Sequence, residues 1–178
     1  MPSCHVFIAT SIDGLIARED DDIDWLHLPG AEAEDHGYDA FIAGIDAIVM
    51  GRGSFDKVVT FDPWPYPLPV VVLSATMTDA DIPDRLAGRV SVLDLPPWEV
   101  VAHCAARGWN RLYVDGGRVI QSFLRAGLIV DIVLTCIPVI LGAGKPLFGA
   151  LDRDIPLDHL ETRAFPSGLT QSSYRVRR

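Results

Sequence analysis

Short apolar runs alternate with amphipathic stretches along most of this chain. His5 to Ser11, Asp46 to Met50, Val70 to Ser74, Val90 to Leu93, Leu112 to Asp115 and Val130 to Ile137 are rich in Val, Ile and Leu. Such runs, bounded by polar or glycine-bearing turns, predict buried strands. Between them, Ala31 to Gly44 reads as a helix, with Tyr38, Phe41, Ile42 and Ile45 at core-facing spacing. Gly53 to Val58 makes a short helix. Trp98 to Arg107 is amphipathic and stops at Gly108, and Val119 to Ala126 stops at Gly127. Ser11-Ile12-Asp13-Gly14 is a turn signal, and the four prolines of Phe61 to Pro69 predict an irregular loop. His159 to Phe165 and Gln171 to Val176 predict a closing antiparallel pair.

The resulting order is β-α-β-α-β-β-α-β-α-β followed by two strands. Alternation of this kind predicts one α/β domain over residues 1–178, with a mostly parallel central sheet and an antiparallel C-terminal edge. Parallel sheets gather ligands at the carboxyl ends of their strands. Two glycine-bearing junctions lie there. In Val49-Met50-Gly51-Arg52-Gly53-Ser54 and in Val114-Asp115-Gly116-Gly117-Arg118-Val119, a strand ends at glycine, an arginine follows, and a helix begins. Each junction offers unspent backbone N–H groups, a positive helix end and a cation. Two of them in one small chain suggest a ligand with more than one phosphate.

Composition narrows the choice. The acidic balance, 15 Lys and Arg against 24 Asp and Glu, argues against a sequence-independent grip on nucleic acid. The one dense basic run, Arg175 to Arg178, reads as a solvated strand end. Cys4, Cys104 and Cys136 are widely spaced and predict reduced thiols in a cytoplasmic protein. No signal-peptide pattern stands at the N-terminus, and the apolar stretch Leu128 to Gly144 is broken by Asp131 and Pro138, so no membrane span is expected. Glu19 to Asp24 reads as a solvated acidic loop.

Several chemistries fail on spacing. Neither junction has the G-x-G-x-x-G of a Rossmann loop, and Gly142-Ala143-Gly144-Lys145-Pro146 has proline where a P-loop needs a magnesium-binding hydroxyl. No histidine or cysteine falls at metal-ligand spacing, so no metal is expected. A nucleophile elbow, G-x-S-x-G, is absent.

Read in order, the segments resemble the dihydrofolate reductase-like superfamily. Ile8-Ala9-Thr10-Ser11-Ile12-Asp13-Gly14-Leu15-Ile16-Ala17 is similar to its first strand and active-site loop, and Trp25-Leu26-His27-Leu28-Pro29 to its tryptophan segment. Ile48 to Arg52, Pro67 to Ser74 and Val114 to Val119 resemble its cofactor junctions. Within the superfamily, Asp115-Gly116-Gly117, Phe123 to Asp131, Pro138 to Gly144 and Pro146-Leu147-Phe148 look closest to the reductase (C-terminal) domain of the bacterial riboflavin-biosynthesis deaminase-reductase and its stand-alone relatives. The zinc motif of the deaminase half has no counterpart here.

The resemblance implies a three-layer α/β fold, a homodimer and NADPH-dependent reduction of a small pterin-like or ribosylaminopyrimidine-like compound. The alternative is a non-catalytic nucleotide-binding or regulatory module on the same fold. Expected cofactor contacts are Ala9 and Ile16 beside the nicotinamide, Gly51, Arg52, Gly53 and Ser54 on phosphate, Arg52 and Ser74 on the adenosine 2′-phosphate, and Gly116, Gly117, Arg118 and Val119 on the pyrophosphate, with Leu73 and Asp115 as further cofactor contacts. Hydride transfer to C=N or C=O needs a proton source and fixed geometry. Asp35, Asp13 and Trp25 are the candidates on the substrate side, although an acid in a helix's first turn also serves the dipole, Asp13 also suits a turn, and Trp25 also suits a core.

Overall fold

A computed structural model describes residues 1–177; Arg178, the end of the basic tail, lies outside the described residues. The chain runs β1 (Ser3–Ser11), β2 (Leu15–Ala17), α1 (Tyr38–Ile42), β3 (Ala47–Gly51), α2 (Arg52–Val58), β4 (Val70–Leu73), β5 (Val90–Leu93) and α3 (Pro97–Ala106). It continues through β6 (Arg111–Asp115), α4 (Gly117–Arg125), β7 (Ile129–Ile137), β8 (Lys145–Pro146), β9 (Leu157–Ala164) and β10 (Thr170–Val176). Eight strands form one sheet in the order β5-β4-β3-β6-β1-β7-β10-β9. Its first six strands pair in parallel, and β10 joins β7 and β9 antiparallel, as the alternation predicts.

Strand alternation supplies the layers. Ala47, Val49, Leu112 and Val114 turn to one face and pack with Val100, Val101 and Cys104 of α3 and Ile120 and Phe123 of α4. Ile48, Met50, Val70, Val72 and Tyr113 turn to the other, against Phe55 of α2 and Phe41 and Ile42 of α1. The strands of this core are buried on both faces, which is why they read as nearly continuous apolar runs.

Two departures from the sequence reading matter for the site. The helix expected over Ala31 to Gly44 is broken: Ala31–Ala33 is a single 3₁₀ turn, Glu34 is extended, and α1 spans only Tyr38–Ile42. Gly37 causes the break by adopting φ 78°, outside the right-handed helix, and Asp35 fastens the bend by accepting the Gly37 N–H at 2.8 Å. The ribbon of β2 with β8 was not expected either. It is too short to carry a period, and Pro146 hides it; the edge position tolerates a proline.

The pairing of β1 with β6 covers only Ser3 to His5 against Arg111 to Tyr113, whereas β1 follows β7 as far as Ser11 against Ile137. The carboxyl halves of β1 and β6 therefore separate. Tyr113 Oη spans the opening by donating to Phe7 O at 2.9 Å. Asp115 ends β6 at its mouth.

Candidate active site

Each glycine junction is set by a strand of the parallel sheet. Met50 of β3 pairs with Asp115 of β6, so the helices that follow, α2 and α4, start side by side. How close they come is measured by the glycines. A Cβ on Gly116 would lie 2.6 Å from Ser54 Oγ and 3.8 Å from Gly51 N, and Gly116 holds φ 87°. A Cβ on Gly117 would lie 2.7 Å from Pro146 O and 3.1 Å from Ile16 Cδ1; one on Gly51 would lie 3.2 Å from Val119 Cγ2. Gly51, Ser54, Asp115, Gly116, Gly117, Val119 and Ile16 are thus brought together. Among the described residues neither α2 nor α4 has a side-chain cap, which leaves first-turn N–H groups of both without a capping side chain.

A second polar group stands beside α2, beyond Leu73 at the end of β4. Arg52 donates from Nη1 to Thr76 Oγ1 at 2.9 Å and from Nε to Asp56 at 3.3 Å. Ser74 Oγ accepts the backbone N–H groups of Thr76 and Met77 at 3.2 and 3.0 Å. Thr76 is a member the sequence reading missed; a hydroxyl two residues after Ser74 in a turn was its signal. Arg118 is exposed on the first turn of α4. Gly53 lies near the Asp21 carboxylate, 4.0 Å from where its Cβ would stand.

Asp115 is set apart by its surroundings. Burial pushes its carboxyl above the usual range, opposed by hydrogen bonds from the Ser54 hydroxyl, the Gly116 N–H and Tyr113 Oη, the last at 3.3 Å. Its charge in turn helps raise the phenols around it: Tyr38, mainly through burial, to about 12, and Tyr66 and Tyr113 further up. Aromatic rings line this side in edge contacts, Phe7 with Tyr38 at 5.5 Å, Phe41 with Tyr113 at 5.2 Å and Trp64 with Tyr66 at 5.4 Å. Tyr113 and Asp115 share a strand face by their spacing, which alternation alone could have revealed.

The residues expected on the substrate side are dispersed. Asp35 is exposed and turns back to Gly37. Trp25 is 7% exposed and packs with Ala31, Ile137 and Leu169, with Ala9 at the edge of the same cluster; its indole N–H has no partner among the described residues. Asp13 accepts from Ser11 Oγ at 2.6 Å, Leu141 N at 3.1 Å and Gly142 N at 2.7 Å. The Ser11 hydroxyl and these amides hold its carboxyl down at about 2. It ties the loop after β1 to the loop after β7. The acidic loop is fastened rather than free: Lys57 of α2 reaches Asp22 at 3.2 Å, Lys145 of β8 reaches Asp21, and Arg18 reaches Asp24 at 2.8 Å.

Among the described residues no helix is long and apolar enough to cross a membrane. Residues 2–170 match the family described as the RibD C-terminal domain. A Bacillus subtilis (strain 168) protein, the uncharacterized protein YyaP, is 30% identical, with 94% of this chain and 91% of the relative covered. The crystal structure of a putative riboflavin biosynthesis protein from Shewanella sp. PV-4 is 40% identical, covers 99% of both chains and superimposes with a TM-score of 0.92. Dihydrofolate reductase from Enterococcus faecalis, solved with NADP(H) and RAB-propyl, shares the fold at 19% identity, with a TM-score of 0.66 over 99% of this chain and 97% of its own. The chain belongs to the RibD C-terminal domain family and has the dihydrofolate reductase-like fold of the reductases it resembles.

Proposed function

We propose that this protein is a cytoplasmic, homodimeric, NADPH-dependent reductase of a small flat heterocycle, pterin-like or ribosylaminopyrimidine-like. The observation that carries the reading is an enclosed carboxyl of raised pKa, Asp115, placed beside two uncapped helix starts. The residues suit a phosphorylated dinucleotide. The paired amides of α2 and α4 suit a pyrophosphate, and Arg52 with Ser74 and Thr76 suits one further phosphate at the end of β4. Gly51, Gly53, Gly116 and Gly117 keep the backbone bare there, with Arg118 at the rim and Ile16 and Val119 as apolar walls.

Bound NADPH supplies a hydride for a C=N or C=O bond. Asp115 supplies the proton. Burial pushes its carboxyl above the usual range, which favours the protonated form that a general acid needs. Ser54 and Tyr113 fix its orientation. The aromatic rings of Phe7, Tyr38 and Tyr66 exclude water and favour a flat, weakly charged ring in the opening between β1 and β6. Asp13 acts by positioning: it holds the loop after β1, and with it Ile16, against α4. Trp25 and Ala9 support that wall from the small cluster beneath it, and Asp35 shapes the approach by its turn.

NADPH oxidation in the presence of pterins, pyrimidines and related C=N or C=O compounds tests this. A compound that the wild type reduces should be reduced about 10²-fold more slowly by Asp115→Asn, with kcat falling more than KM rises. Equal kcat in the variant would remove Asp115 from the chemistry.

A further inference from the structure

Ser3, His5 and Asp131 form a hydrogen-bonded row at the opposite end of the sheet from the glycine junctions. Ser3 and His5 are two apart on β1, so their side chains share one sheet face. The register sets His5 beside Asp131 of β7 and Ser3 beside Arg111 of β6. Ser3 Oγ lies 2.8 Å from His5 Nε2, and both Asp131 carboxylate oxygens lie 2.8 Å from His5 Nδ1. An ionised carboxylate only accepts, so Nδ1 carries the proton and donates it. Nε2 is then left to accept from the Ser3 hydroxyl at 2.8 Å, with the longer contact of the same hydroxyl to Asn110 O, at 3.3 Å, as its competitor. The His5 side chain is 4% exposed and held on both ring nitrogens, whereas Ser3 is partly exposed. His5, Asp131, Arg111, Phe41 and Tyr174 line an open depression of about 430 Å³.

We propose that this row is a second active site, a serine-nucleophile esterase for short-chain carboxylic esters. Nucleophile bonded to base, and base oriented by a carboxylate, is the arrangement by which such sites are recognised on unrelated folds. Ser3 Oγ bonds to the ester carbonyl carbon while its proton moves to His5 Nε2. Asp131 stays ionised and stabilises the imidazolium. Arg111 stands beside Ser3 in the register, its Nε donating to Gly44 O at 2.8 Å, and its positive charge would stabilise the oxyanion. Collapse breaks the bond to the alkoxide, which takes the proton from Nε2 and leaves as alcohol. Water then attacks the acyl-serine, gives its proton to Nε2, and the acid departs as Ser3 recovers it. No redox partner is needed, and none of these residues belongs to the glycine-junction site.

The test uses the full chain with 4-nitrophenyl acetate, and a fluorophosphonate probe followed by peptide mass analysis. Release of 4-nitrophenol above buffer background and a phosphonyl adduct on Ser3 are expected. Ser3→Ala should lower the rate at least about tenfold, and Asp131→Asn should lower it with the ring no longer held in the required tautomer. NADPH binding by Ser3→Ala reports on its folding and should be unchanged. Hydrolysis by folded Ser3→Ala at the wild-type rate, or a wild-type protein without an adduct on Ser3, would overturn the proposal. The adduct decides even where a variant fails to fold.

Discussion

Asp115 is the residue whose surroundings most alter its chemistry. Its native pKa lies above the unfolded value near 4, so the native state binds the extra proton between the two. The stability this gives is complete below about pH 4 and is lost as pH rises through the native pKa. Asparagine at 115 keeps the shape without that loss. The Tm of Asp115→Asn relative to wild type should therefore rise between pH 4 and pH 7, and a constant difference would contradict the burial argument. Asp13 has the opposite sign. Its native pKa of about 2 lies below the unfolded value, so its hold on Leu141 and Gly142 is complete above about pH 4 and fails as pH falls through about 2. Hydrogen exchange at those two amides should quicken across that window in the wild type, and in Asp13→Asn should already be fast at pH 5. The glycines were legible because their sequence signal is strong, yet their meaning was only half legible. Gly116 and Gly117 are demanded by Ser54 and Pro146, protein contacts that no local motif announces. Asp115 was legible as part of the second junction, but Tyr38 and Tyr66, which feel its charge, come from α1 and the loop before β4 and are distant in sequence.

At the level of elements, the start of α4 depends on the small ribbon of β2 and β8. Gly117 begins α4 directly under Pro146 O, a backbone atom that cannot swing away. Gly117→Ala should part β8 from α4 and destabilise the protein by about 1–3 kcal/mol, seen as a lower Tm together with weaker NADPH binding. An unchanged Tm would mean the ribbon does not brace the helix. The core strands were legible because burial on both faces writes them as unbroken apolar runs. The expected helix over Ala31 to Gly44 misled because Tyr38, Phe41 and Ile42 do occupy helical spacing, but in α1 alone. Its first half is governed by Gly37, Asp35 and Glu34. Glu34 accepts from Ser167 N and Oγ at 2.8 and 2.6 Å, which draws the segment to the turn between β9 and β10. A tertiary bond across that sequence distance has no local signature.

On the scale of the whole molecule, one sheet carries two chemical ends. At the carboxyl end, β3, β4 and β6 bring two bare helix starts, the Arg52–Ser74–Thr76 group and Asp115 to one opening; at the amino end, β1 and β7 align Ser3, His5 and Asp131. The alternating order made the first arrangement foreseeable, since parallel strands gather their carboxyl ends. The second depends on register across β1 and β7, which apolar periodicity does not specify. The account as a whole stands on the reading of the first end as a dinucleotide site. Its most direct test is a titration of the purified chain into NADPH, followed by nicotinamide fluorescence, with NADH and Arg52→Gln alongside. Saturable NADPH binding, weakened about tenfold both by loss of the 2′-phosphate and by Arg52→Gln, is the predicted result. An absence of saturable binding, or binding indifferent to both changes, would contradict it.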